Sequence, residues 1–154
     1  MPTEDDPSRK AQRRQRRQRA TLTYPQHVFK PEDILDFIEL PQFTKRWEKL
    51  GLDDEGDLTA LRLAIMLNPK GGEVIKGTGG LRKLRFAPEC WHVGSSGAAR
   101  ILFVHFEEFG CCLLCIVFGK NETDDISDAV KRYLKKTIKE IEGELCRLRA
   151  IKLE

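Results

Sequence analysis

The 154-residue chain has no run of about 18 uncharged apolar residues, and its first twenty residues are acidic and then arginine-rich rather than apolar. Neither a membrane span nor a secretory signal fits such a sequence, so a soluble protein of the cytoplasm is expected, without membrane contact. Cysteine is not present in a disulfide-framework pattern: the count is five, an odd number, and Cys111, Cys112 and Cys115 sit inside an apolar run. They are expected to be reduced and buried as small hydrophobes. Cys112-x-x-Cys115 has metal-like spacing but lacks a second pair, and in a strand its two members diverge; Cys90-x-His92 is equally incomplete. No metal and no cofactor is expected. The glycine-rich stretch Gly77-Thr78-Gly79-Gly80 precedes a strand rather than opening a helix, so it lacks the helix N-terminus that a phosphate loop needs and is expected to be a tight turn.

What is present suits one compact domain, since 154 residues with 40% apolar content are enough for one real core and short for two. The charge is unevenly spread. Of 27 basic and 24 acidic residues, seven basic and three acidic fall within residues 1–19, leaving 20 basic against 21 acidic in the rest. Residues 1–22, with little to bury, are expected to be a disordered basic extension, and residues 23–35 a proline-containing lead-in. The arginine run would serve either as a nucleic-acid or ribosome contact with salt-sensitive affinity or as a solvated tail. Within the near-neutral body, Lys70, Lys76, Arg82, Lys83, Arg85 and Arg100 face only Glu73 and Glu89, a local surplus suited to phosphates.

Hydrophobic periodicity orders the domain at 36–150. Alternation predicts a strand over 36–40; Pro41 suits the first turn of a helix carrying Phe43, Trp47 and Leu50, and Gly51 stops it. A second helix spans 58–67 and ends at Asn68, because Pro69 disfavours helical backbone before it. Residues 81–86 form a charged strand whose period of two puts Lys83 and Arg85 on one face with Leu81, and Arg82 on the other with Leu84 and Phe86. A strand at 99–106, a hairpin at Gly110 and a strand at 113–118 follow, the last apolar without alternation, as a strand covered on both faces would be. A long amphipathic helix begins near Ser127. The order describes an α+β domain with a mostly antiparallel sheet packed against helices.

Four separated segments, occurring in one order, resemble the RelE/HigB toxins of bacterial type II toxin–antitoxin systems. They are Phe37-Ile38-Glu39-Leu40-Pro41-Gln42-Phe43-Thr44, Lys76-Gly77-Thr78-Gly79-Gly80-Leu81-Arg82-Lys83-Leu84-Arg85, Gly97-Ala98-Ala99-Arg100-Ile101 and Phe118-Gly119-Lys120-Asn121-Glu122. The resemblance implies a small microbial-RNase-like (RelE-like) fold that enters the ribosomal A site, cleaves mRNA there without metal and blocks translation, and is neutralised by a cognate antitoxin protein. It places the catalytic basic positions at Lys83, Arg85, Arg100 and Lys120, with Arg82 one register step away. Two features depart from the family. No tyrosine follows the Gly-Lys motif to stack on a base, and the loop before the 99–106 strand is not rich in lysine and arginine; Trp91 is the candidate substitute for the stacking surface.

RNA cleavage without metal uses the ribose 2′-hydroxyl as nucleophile, so a protein must take its proton, neutralise the phosphorane and protonate the leaving 5′-oxygen. The planar fork of Arg100 matches phosphate oxygens and suits transition-state stabilisation. Lys83, crowded by arginines, is the candidate general base or acid, with Lys120 in the complementary role; Glu122 and His92 are the more conventional alternatives. His105, in an apolar strand, is expected to be a hydrogen-bonded structural residue. Without the resemblance, the strand cations fit an edge strand that uses charge against aggregation. Two other functions share the expected fold: a ParE-like toxin that binds DNA gyrase without catalysis, and a degenerate member retained as an antitoxin-binding module.

Overall fold

A computed structural model of the chain describes residues 33–91, 97–119, 122 and 126–152, with the side chains of Cys90 and Lys152 left aside. The expected basic extension at 1–22, most of the lead-in, His92 and Lys120 lie outside the described residues. Among the described residues the elements are β1 (Asp36–Glu39), α1 (Pro41–Lys49), α2 (Asp57–Leu67), β2 (Glu73–Val74), β3 (Arg82–Phe86), β4 (Ala99–Phe106), β5 (Cys111–Phe118) and α3 (Asp128–Lys152). The fold is α+β, and its arrangement is compatible with a small RelE-like domain.

The strands form one sheet in the order β1-β5-β4-β3-β2. β2, β3, β4 and β5 pair antiparallel, while β1 runs parallel to β5, with Phe37 beside Cys112 and Glu39 beside Leu114. Two hydrogen bonds lock that parallel edge: the Asp36 N–H donates to the Gly110 carbonyl (2.9 Å) and the Leu40 N–H to the Leu114 carbonyl (3.0 Å). Leu40 is extended and Pro41 starts α1, so the chain turns directly from strand into helix where proline needs no donor.

Both sheet faces are covered. On one, α1 and α2 bury Phe43, Trp47, Leu61 and Ile65 against Ile101, Phe103, Cys112 and Leu114. Phe43 and Trp47, four residues apart on α1, stack with ring centroids 5.5 Å apart, and Trp47 continues the stack onto Phe86 at 6.3 Å. Burial of each of these side chains contributes about 1.5–3 kcal/mol. On the other face, α3 buries Leu134 and Ile138 against Leu102, Val104, Leu113 and Cys115. A strand covered on both sides has no solvent face to keep polar, which is why β5 is apolar throughout.

The β4–β5 register shifts between Leu102, opposite Ile116, and Phe103, opposite Leu114, so Cys115 is the extra residue of a bulge. Cys112 packs on the α1/α2 side and Cys115 on the α3 side, which sends the two thiols of the Cys-x-x-Cys spacing into different cores. Burial pushes both thiols up, Cys115 to about 12, as expected of inert core cysteines.

α2 is started by a reciprocal pair of aspartates. Asp53 Oδ1 accepts the N–H groups of Gly56 (2.6 Å) and Asp57 (2.8 Å), while Asp57 Oδ2 accepts the Asp53 N–H (3.0 Å). These bonds satisfy donors that a helix start leaves orphaned, and they account for the burial of Asp57. α3 begins with Ser127, whose hydroxyl accepts the Val130 N–H (3.2 Å). Among the described residues no helix is long and apolar enough to cross a membrane.

Candidate functional site

The β3 strand is held between a two-residue partner and the centre of the sheet. On its outer side Glu73 stands opposite Lys83 and Val74 opposite Arg82; on its inner side Lys83 pairs with Leu102 and Arg85 with Arg100. Residues directly opposite in an antiparallel pair share a face. Leu102 packs under α3, so Lys83, Arg85 and Arg100 all belong to the α3 side of the sheet. Arg100 is in turn opposite Phe118, which carries the row on to β5.

The turn leading into β3 is built to hold that strand. The Ile75 N–H donates to the Leu81 carbonyl (2.8 Å), the buried Thr78 hydroxyl donates to the Ile75 carbonyl (2.6 Å), and the same oxygen accepts the Leu81 N–H (3.2 Å). The glycine-rich stretch is thus a hairpin closure between β2 and β3, with positive φ at Gly77, Gly79 and Gly80.

A cleft of about 410 Å³ opens between this hairpin and the start of α3, with Lys76, Lys83 and Lys131 in its wall beside Glu73 and Ile126. Lys76 and Lys131 add cations to those expected from the strands, and Glu73 is the carboxylate that the β2–β3 register sets next to Lys83. Sequence reasoning counted Lys76 in the basic surplus suited to phosphates but missed Glu73 and Lys131 as site residues. β2 is too short to leave a periodic signal, and the periodicity of α3 locates its core-facing leucines and isoleucines without saying which strand its lysines meet.

The remaining candidates are placed elsewhere. Arg82 projects to the α1/α2 side, opposite Phe103, and its Nη1 donates to the Lys70 carbonyl (2.7 Å). Trp91, in a single turn of 3-10 helix at Glu89–Trp91, packs half-buried against the α1/α2 core rather than beside Lys83. Glu122 is ion-paired with Arg46 of α1, and its Oε1 accepts the Gly119 N–H (3.1 Å). Arg46 also donates from Nε to the Val117 carbonyl (2.7 Å) and lies over the Phe118 ring, 5.1 Å from its centroid. Glu122 therefore clips the end of β5 to α1. Lys120 and His92 fall outside the described residues.

A second cleft, of about 480 Å³, lies on the α1/α2 side and is lined by Leu35, Met66, Lys70, His105 and Glu107 among others. Burial, assisted by Lys70 and Arg82 and opposed by Glu107, holds the His105 imidazole below its ordinary value. That favours the neutral ring near pH 7.

Among the described residues no group of three or more histidine, cysteine or acidic side chains is arranged to hold a metal ion. On the α3 side Lys76, Lys83 and Lys131 line one open cleft, and Arg85 and Arg100 stand on the same sheet face beyond it, a geometry that can grip successive phosphates of a polyanion. The sequence matches none of the protein-family models against which it was compared.

Proposed function

We propose that the protein is the toxin of a type II toxin–antitoxin module, a metal-independent endoribonuclease that cuts mRNA in the ribosomal A site and blocks translation. One observation carries this reading beyond the resemblance of four sequence segments: Arg85 and Arg100 stand directly opposite each other, two residues along from Lys83, on a single sheet face. Like charges directly opposite in a sheet are destabilising; Arg100 donates from Nη1 to the Ala98 carbonyl, and an anion held between the two guanidinium groups would relieve their repulsion. A scissile phosphate is such an anion.

Cleavage then follows from the side chains. Arg85 and Arg100 hold the non-bridging oxygens and stabilise the phosphorane as charge builds on it. Lys83, as the neutral amine, accepts the 2′-hydroxyl proton as that oxygen bonds to phosphorus, and Lys120, after β5, as the ammonium, gives a proton to the 5′-oxygen as its bond to phosphorus breaks. Positioning supplies several kcal/mol of the barrier, which accords with activity that depends on the ribosome to hold the message. A cognate antitoxin is the expected partner, and cytoplasmic location follows from the substrate.

The test is induced expression of the full chain, wild type against Arg100→Ala, with the 5′ ends of cellular mRNA mapped in arrested cells. Cuts inside translated messages, lost in a folded Arg100→Ala protein, are expected, with a fall in cleavage of at least about a hundredfold. Growth arrest with intact messages and signs of DNA damage would overturn this in favour of a gyrase-binding toxin. Absence of arrest would identify a degenerate antitoxin-binding module.

A further inference from the structure

The first half of α3 carries a charge distribution that its own folding does not favour. From Asp128 to Lys139 it holds Lys131, Arg132, Lys135, Lys136 and Lys139 against the single acid Asp128, whereas the acids Glu140, Glu142 and Glu144 come later. Lys131, in the first turn, opposes the helix dipole, and like charges four apart repel; Lys131–Lys135, Arg132–Lys136 and Lys135–Lys139 are three such pairs. Among the described residues none of these five side chains has an acidic partner within ion-pair distance. Farther along the same helix, Arg147 pairs with Glu144 and Arg149 with Glu108.

At 100° per residue the five cations fall within an arc of about 140° and extend about 12 Å along the axis. Arg132, Lys135, Lys136 and Lys139 are exposed. The stripe is continuous with the cleft on β3: Lys131 lines that cleft with Lys83, and the Lys135 side chain lies against the Gly79 turn, its Cγ 3.8 Å from the position a Cβ on Gly79 would take.

We propose that this stripe binds the backbone of the RNA strand where it leaves the cleft between the β2–β3 hairpin and α3, forming an extended phosphate-binding track that begins at Lys83 and runs over α3 to Lys139. The proposal rests on reading the strand face as an RNA site. Continuity selects the occupant: a single strand carries one charge per nucleotide from the cleft onto the helix without interruption, and its phosphates relieve the repulsion among the lysines.

The experiment uses the full chain and 2′-O-methyl RNA, which lacks the nucleophilic hydroxyl, in lengths of about three and about twelve nucleotides. The variant is Lys135→Gln/Lys136→Gln/Lys139→Gln, whose positions lie outside the cleft and whose loss of repulsion is expected to leave α3 at least as stable. Affinity of the variant for the longer RNA is expected to fall roughly tenfold at about 0.1 M salt, with the slope of log affinity against log salt shallower by about 2, while the shorter RNA binds unchanged. Equal affinity of the two proteins for the longer RNA overturns the track. So does an equal loss for both lengths, or displacement of the RNA by polyglutamate of matching charge at matching concentration, which would assign the stripe to an acidic protein segment. In-frame message cuts with no length effect would remove the track and keep the cleavage reading; a length effect with intact messages would do the reverse.

Discussion

At the scale of single residues, environment rather than identity decides what a titratable group does. His105 and the basic residues of β3 and β4 lie in one sheet, yet only His105 is set into a cleft where burial, Lys70 and Arg82 together disfavour the charged ring, with Glu107 opposing them. Its folded value lies below the ordinary 6.5, so the unfolded chain takes up this proton first as pH falls. The contribution to stability is complete above about pH 6.5 and is lost as pH drops through the folded value. Acidification from about pH 7.5 to 5.5 is therefore expected to lower the melting temperature, and His105→Gln to flatten that dependence. Identical pH profiles of melting for the two proteins, followed by circular dichroism, would contradict the assignment. Arg82 teaches the same lesson. Its type made it a candidate beside Lys83, and the period of two turned it to the other face, where it supports the Lys70 carbonyl.

At the scale of elements, the short β2 strand governs how β3 is presented. Gly72 has φ +81°, and a Cβ there would overlap the Lys83 carbonyl oxygen, so the backbone at Gly72 passes β3 more closely than any side chain allows. Gly72→Ala is expected to destabilise the protein by about 2 kcal/mol or more, through both the positive φ and the overlap, read as a lower midpoint in urea unfolding. An unchanged midpoint would mean that β2 is not held as described. The major elements were legible in the sequence. Pro41 starts α1 where its missing donor costs nothing, the left-handed Gly51 stops it, Pro69 ends α2 by disfavouring helical backbone at Asn68, and the unbroken apolar run of β5 announced burial on both faces. β2 was not legible, because two residues cannot express a period. Nor was the Arg46–Glu122 clip, which joins α1 to the turn after β5 across 76 residues of chain.

At the scale of the whole molecule, the two covered faces of the sheet divide the work: α1 and α2 close one core, and α3 closes the other while bringing Lys131 to the cleft. Burial inside both cores makes thiol reactivity a reporter of global unfolding. Cys111, Cys112 and Cys115 are buried with thiols pushed above their ordinary value, whereas Cys146 is exposed on α3. In the native protein Cys146 is expected to react with a disulfide reagent at once, and Cys111, Cys112 and Cys115 only at the rate of unfolding. Prompt labelling of Cys112 or Cys115, located by mass spectrometry, would show that the sheet opens locally. By itself the sequence determined the α+β class, the bounds of most elements and the common face of Lys83 and Arg85, because propensity, proline chemistry and the strand period are local properties. Tertiary structure alone decided that β1 lies parallel beside β5, that Arg100 comes opposite Arg85, and that α3 brings Lys131 into one cleft with Lys83. Those are pairings between distant parts of the chain, selected by which apolar faces bury best against each other, and no local pattern encodes them.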